Sequence, residues 1–127
     1  MIDWLVYEAV AKKLIESGYD VHYLDIAQED APCPYIQMYY LQNNEDLHKS
    51  GSSGAVSMDI GVWHDRIDKR KELMEIMNQV FEVCQTIQID GYELMVSEKS
   101  SRILLDTSTS TQYLHGVVEL EIKYTGG

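Results

Sequence analysis

The sequence predicts an α+β domain: a mostly antiparallel sheet of about 4–5 strands with two amphipathic helices packed on one of its faces. Three observations carry that expectation. Apolar residues recur at helical spacing in two separate segments. They recur with a period of two in others, above all near the C-terminus. Two strand-like runs flank one polar stretch, as hairpin partners do. With 127 residues, the chain suits a single domain over 1–127, since half of it would bury too little surface to fold alone.

The first helix is read from Ile2, Leu5, Val6, Ala9, Val10, Leu14 and Ile15, and Gly18 stops it. Val21-His22-Tyr23-Leu24 has the composition of a short strand. Residues 25–34 are acidic and proline-bounded, a connection. Tyr35 to Leu41, YIQMYYL, is aromatic-rich and reads as a strand. A long β-hairpin loop at 42–54 follows, polar and rich in glycine and serine. It far exceeds the roughly 2–5 residues of an ordinary hairpin loop. From Ala55 to Trp63, Val56, Met58, Ile60 and Val62 alternate with small or polar residues.

Asp65 is placed to cap a second helix, with Asp68 favouring its dipole. Leu73, Ile76, Met77, Val80, Phe81 and Cys84 then step by three, one, three, one, three, the clearest amphipathic pattern in the chain. Asp90-Gly91 signals a turn. Tyr92 to Val96 alternates, and Arg102 to Asp106 continues that strand after a bulge. A polar loop at 106–111 precedes His115 to Thr125. There Val118, Leu120, Ile122 and Tyr124 face one way, and Val117, Glu119, Glu121 and Lys123 the other. The polar alternate face implies a sheet surface that is wet or meets a partner.

Composition narrows the function. The hydrophobic fraction is 45% and the charged fraction 24%, as expected of a folded domain. No apolar run approaches the roughly 18 residues of a membrane span. Asp3 stands where a secretory leader needs positive charge, which predicts no leader. The net charge of −11 repels nucleic acid and anionic lipid. The dense basic run Arg66, Lys69, Arg70, Lys71 is interleaved with Asp65, Asp68 and Glu72. Cys33 and Cys84 read as reduced thiols, with Cys84 a small core residue.

No catalytic, cofactor or metal motif emerges. His22, His48, His64 and His115 are not paired at ligand spacing. Ser52 and Ser53 lie in a hairpin rather than on a strand-to-helix elbow. His48 to Gly54 has the wrong glycine spacing for a phosphate loop, and a strand follows where a helix should begin. Glu119 and Glu121 share a strand face and read as solvated or interfacial. Tyrosine is abundant, at nine residues. Those on strands, Tyr35, Tyr39, Tyr40, Tyr92 and Tyr124, cannot all be core, and an exposed subset suits a protein interface.

The order of elements resembles the small tail-completion proteins of long-tailed bacteriophages, the tail terminators and tail-to-head joining proteins. The residues carrying the resemblance are Pro34-Tyr35-Ile36-Gln37-Met38 and Met58-Asp59-Ile60-Gly61-Val62-Trp63, with the helix that follows through Glu72-Leu73-Met74-Glu75-Ile76-Met77. Asp90-Gly91-Tyr92, Ser100 to Asp106 and Gly116 to Ile122 complete it. The likeness spans nearly the whole chain as an order of elements with residue preferences. It implies a virion structural protein, located in the neck or tail and in the host cytoplasm during assembly. It implies a homo-oligomeric ring, commonly six-fold, that ends the tail tube and joins it to the head. The partners implied are further copies of the chain, the major tail tube protein and the head's connector or stopper protein. DNA would pass through such a ring without sequence-specific contact. The family brings no catalytic residues and no cofactor, so the chain is expected not to be an enzyme.

A rival reading, resting on charge, is an acidic protein-binding module such as a DNA-mimic inhibitor. A small enzyme with a pocket at His64 or His115 ranks last. Within the ring reading, the hairpin arm is the expected contact with a neighbouring subunit or the tail tube: Asn44, Glu45, Asp46, Leu47, His48, Lys49 and Ser50.

Overall fold

The structure, a computed structural model, describes residues 1–23, 31–47 and 52–126. The elements run α1 (Ile2–Glu16), β1 (Val21–His22), β2 (Tyr35–Asp46), β3 (Ser52–His64), α2 (Arg70–Thr86), β4 (Tyr92–Asp106) and β5 (Tyr113–Gly126). The strands form one five-stranded sheet in the order β1-β2-β3-β5-β4. All pairings are antiparallel except that of β1 with β2. β3 and β4 run in the same direction with β5 between them. Such a connection needs a crossover, which α2 supplies.

Both helices lie on one face, as the periodicity predicts. Val6, Val10 and Leu14 of α1 and Leu73, Val80 and Cys84 of α2 share one core with Ile36, Met38, Val56, Met58, Ile60, Val62, Val118, Leu120 and Ile122. Each fully buried side chain of that size contributes roughly 1.5–3 kcal/mol, and this core holds the sheet in place. The α2 series from Leu73 to Cys84 matches the sequence pattern, with Phe81 at the core edge. In α1 the match is partial: Leu5 and Ile15 are exposed, because α1 is apolar around much of its circumference. α1 ends at a Ser17 cap followed by Gly18, whose φ of 95° is costly for other residues.

The hairpin differs from the sequence expectation. Residues 42–46 and 52–54 are not loop. Among the described residues, β2 pairs with β3 as far as Asp46↔Ser53. These residues are polar yet ordered because β3 is central. Ser52, Ser53 and Gly54 also pair with Gly126, Thr125 and Tyr124 of β5. Backbone hydrogen bonds on both sides do what apolar alternation does elsewhere. Gly54 permits the close approach, since a Cβ there would stand 2.3 Å from the Asn44 carbonyl oxygen.

α2 starts at Arg70 rather than near Asp65. His64 is the reason. Its Nδ1 accepts the Arg66 backbone N–H at 3.1 Å, and its Nε2–H donates to Glu72 at 3.0 Å. This pins a turn between β3 and the helix, so Asp65 is not a cap. β4 is continuous from 92 to 106, absorbing the polar stretch at 97–101 with a bulge at Ser97. A second bulge, at Tyr39, interrupts β2.

Candidate interaction surfaces

The face of the sheet away from the helices is built from the alternate residues of each strand. At one end it carries an aromatic cluster of Tyr35, Trp63 and Tyr113, all buried. The Trp63 indole N–H donates to Gln37 Oε1 at 2.9 Å. His115 stacks on Trp63 with ring centroids 3.8 Å apart and planes at 11°. Register explains the stack: Trp63 and His115 are direct cross-strand partners. The His115 Nε2 is buried without a hydrogen-bond partner among the described residues. Burial pushes its imidazole down to about 4, against a smaller upward pull from Asp106.

Further along the same face the surface turns acidic. Asp59 faces Glu119 across one ladder, and Glu98 faces Glu121 across the next. Like charges so placed repel. Burial, then the Glu119 charge, holds the Asp59 carboxyl above the usual range, with Arg102 opposing. Arg102 Nη1 lies 3.5 Å from Glu119 Oε1. These carboxylates, with Tyr40 and Gln42, line an open cleft of about 690 Å³. Sequence reasoning paired Glu119 with Glu121 correctly on one face. It missed Asp59 and Glu98 as their neighbours, because cross-strand register is not encoded in spacing along one strand.

Two exposed apolar regions lie at the sheet edges. Beside β1, Trp4, Tyr7, Ala11, Ile15 and Tyr23 line a cleft of about 610 Å³ on the outer side of α1. The Tyr7 hydroxyl donates to the Met38 carbonyl at 2.9 Å, tying α1 to β2. At the opposite edge, β4 pairs only with β5 among the described residues. There Met95, Leu104 and Leu105 are 60%, 46% and 56% exposed.

Of the arm residues expected at an interface, Asn44, Glu45 and Asp46 sit exposed on the end of β2, and Leu47 is 95% exposed just beyond it. His48, Lys49 and Ser50 lie outside the described residues. Tyr40 is exposed, whereas Tyr35 and Tyr124 are buried, so the strand tyrosines do divide between core and surface. The Tyr124 hydroxyl donates to Asn43 Oδ1 at 2.9 Å. Among the described residues no group of three or more His, Cys, Asp or Glu is placed to hold a metal. His64 is engaged by Glu72, and His22 lies 3.1 Å from Asp20. Burial pushes the Cys84 thiol up to about 12 and the Cys33 thiol up to about 11.

No family model matches the sequence, and no curated protein matches it. The solved structures do hold a likeness. A chain in the structure titled "Virion of native gene transfer agent (GTA) particle" superimposes with a TM-score of 0.58 and 12% sequence identity, over 91% of this chain and 92% of that one. At that identity the likeness concerns architecture, and the chain therefore shares the fold of a subunit found in a gene transfer agent virion.

Proposed function

We propose that this chain is a non-catalytic virion structural protein, a subunit of a homo-oligomeric ring that ends the tail tube and joins it to the head. The observation that carries this is the end-to-end likeness to a virion chain, together with an order of elements resembling tail-completion proteins. The β4 edge, which pairs only with β5 among the described residues, and the exposed apolar residues beside α1 support it, since a ring subunit needs two different contact surfaces that close by rotation. Light scattering of the purified protein, alone and with tail-tube protein, tests the reading, with negative-stain imaging of the assemblies. Rings are expected; a strict monomer under both conditions refutes it.

A second reading draws on Asp59, Glu98, Glu119 and Glu121, which together form an acidic surface. An acidic inhibitor would present such carboxylates in place of phosphates. Competition with DNA for a nucleic-acid enzyme supports that reading, and its absence removes it.

A further inference from the structure

We propose that the free edge of β4 pairs with the distal edge of β2 in a second copy of this chain, so that the sheet continues from subunit to subunit. This deepens the ring reading above and rests on it. Strand direction alternates across β2, β3, β5 and β4. A copy that keeps roughly the same strand direction therefore offers β2 to β4 as an antiparallel partner. Among the described residues, β2 beyond its short pairing with β1 has only β3 beside it, and β4 has only β5. An edge strand of 15 residues without proline is a template for such pairing.

The bulges bound the register, and charge and apolar matching select it within those bounds. β2 pairs regularly from Tyr40 to Asp46, beyond the bulge at Tyr39. β4 pairs regularly from Glu98 to Asp106, beyond the bulge at Ser97. Laying these stretches together with like faces matched sets Tyr40 against Leu104, Leu41 against Ile103, and Glu45 against Lys99. The two most exposed of these apolar residues, Tyr40 and Leu104, would cover each other. A shift of two residues either way keeps the faces but places Glu45 opposite Ser101 or the bulged Ser97. Within one chain Glu45 and Lys99 lie three strand spacings apart across the sheet, roughly 14 Å, and are offset further along the strands. Direct coupling between them therefore reports contact between copies.

The test is a charge exchange read by sedimentation or light scattering across protein concentration. Glu45→Lys and Lys99→Glu are each expected to raise the half-assembly concentration roughly tenfold, since each sets like charges opposite at every contact. Mixing the two variants in equal amounts is expected to restore assembly to near the wild-type value, because each reversed charge then meets the other. Lys99 also lies over the Phe81 ring at 4.3 Å; a folding defect from losing that contact would not be rescued by mixing. Single variants that assemble like wild type, or a mixture as poor as either variant, overturn the pairing while leaving a ring intact. A monomeric wild type overturns the ring reading and the pairing together.

Discussion

Replacing His115 with phenylalanine is expected to remove a defined part of the protein's acid sensitivity. The His115 ring is stacked on Trp63, and its Nε2 sits 2.8 Å from where a Cβ on Gly61 would stand. Protonation would place a charge in this partly buried site, and its pKa falls from 6.5 to about 4. The folded-state value is below the unfolded one, so between pH 6.5 and 4 the unfolded chain binds a proton that the folded chain refuses. Stability is thus fully present above pH 6.5 and is lost as pH falls toward 4, with no further loss from this group below that. The full shift corresponds to at most about 3 kcal/mol. Solvent screening at this partly exposed ring lowers the expected loss to about 2 kcal/mol.

His115→Phe keeps the aromatic stack and abolishes the titration. Its baseline effect at pH 7 combines opposing contributions: removing an unpartnered polar atom gains about 1–2 kcal/mol, and the larger ring beside Gly61 costs about the same. The slope with pH is free of that ambiguity. The assay is urea unfolding followed by tryptophan fluorescence, at fixed subunit concentration, from pH 4 to 7. With a slope of about 1–2 kcal/mol per molar urea, the wild-type midpoint is expected to fall by roughly 1–2 M more than that of the variant. Carboxylates without an interaction with His115, such as Asp59, titrate in both proteins and cancel in the comparison. Parallel curves for wild type and variant between pH 6.5 and 4 would refute the reasoning.

Gly54→Ala is expected to cost about 2–3 kcal/mol, because its Cβ would meet the Asn44 carbonyl oxygen at 2.3 Å and strand backbone has little room to yield. Hydrogen exchange should show the loss concentrated in residues 43–46. Cys84 should resist alkylation until the protein unfolds, since its thiol is buried and pushed up to about 12. Mass spectrometry after iodoacetamide treatment checks this, and labelling in the native state contradicts the core placement. Deleting Glu45 to Ser53 should spare the fold, whose core lies nearer the other end of β2 and β3, and abolish ring assembly. Circular dichroism and light scattering read the two effects separately, and intact assembly would make the arm dispensable.

Much of the fold was legible in the chain. The α2 stripe and the alternation along β3 and β5 predict both the elements and the faces they bury, because periodicity is a local property. Gly18 predicts the end of α1 for the same reason. Ser52 to Gly54 misled, since their composition is that of a loop and nothing local says that strands lie on both sides. Asp65 misled similarly. It has the chemistry of a cap, but His64 holds the turn in another shape.

What the sequence by itself determined is the set of elements, the α+β class, the buried stripe of α2, the core faces of β3 and β5, and the acidic charge. Tertiary structure alone decided which strands are neighbours. It thereby brought His115 onto Trp63, set Asp59 beside Glu119, carried the hairpin ladder out to Asp46, and left β4 at an edge. The physical reason is that side-chain periodicity is set by the backbone within one element. Register and strand order are set by the packing of distant segments, and no spacing along the chain records them.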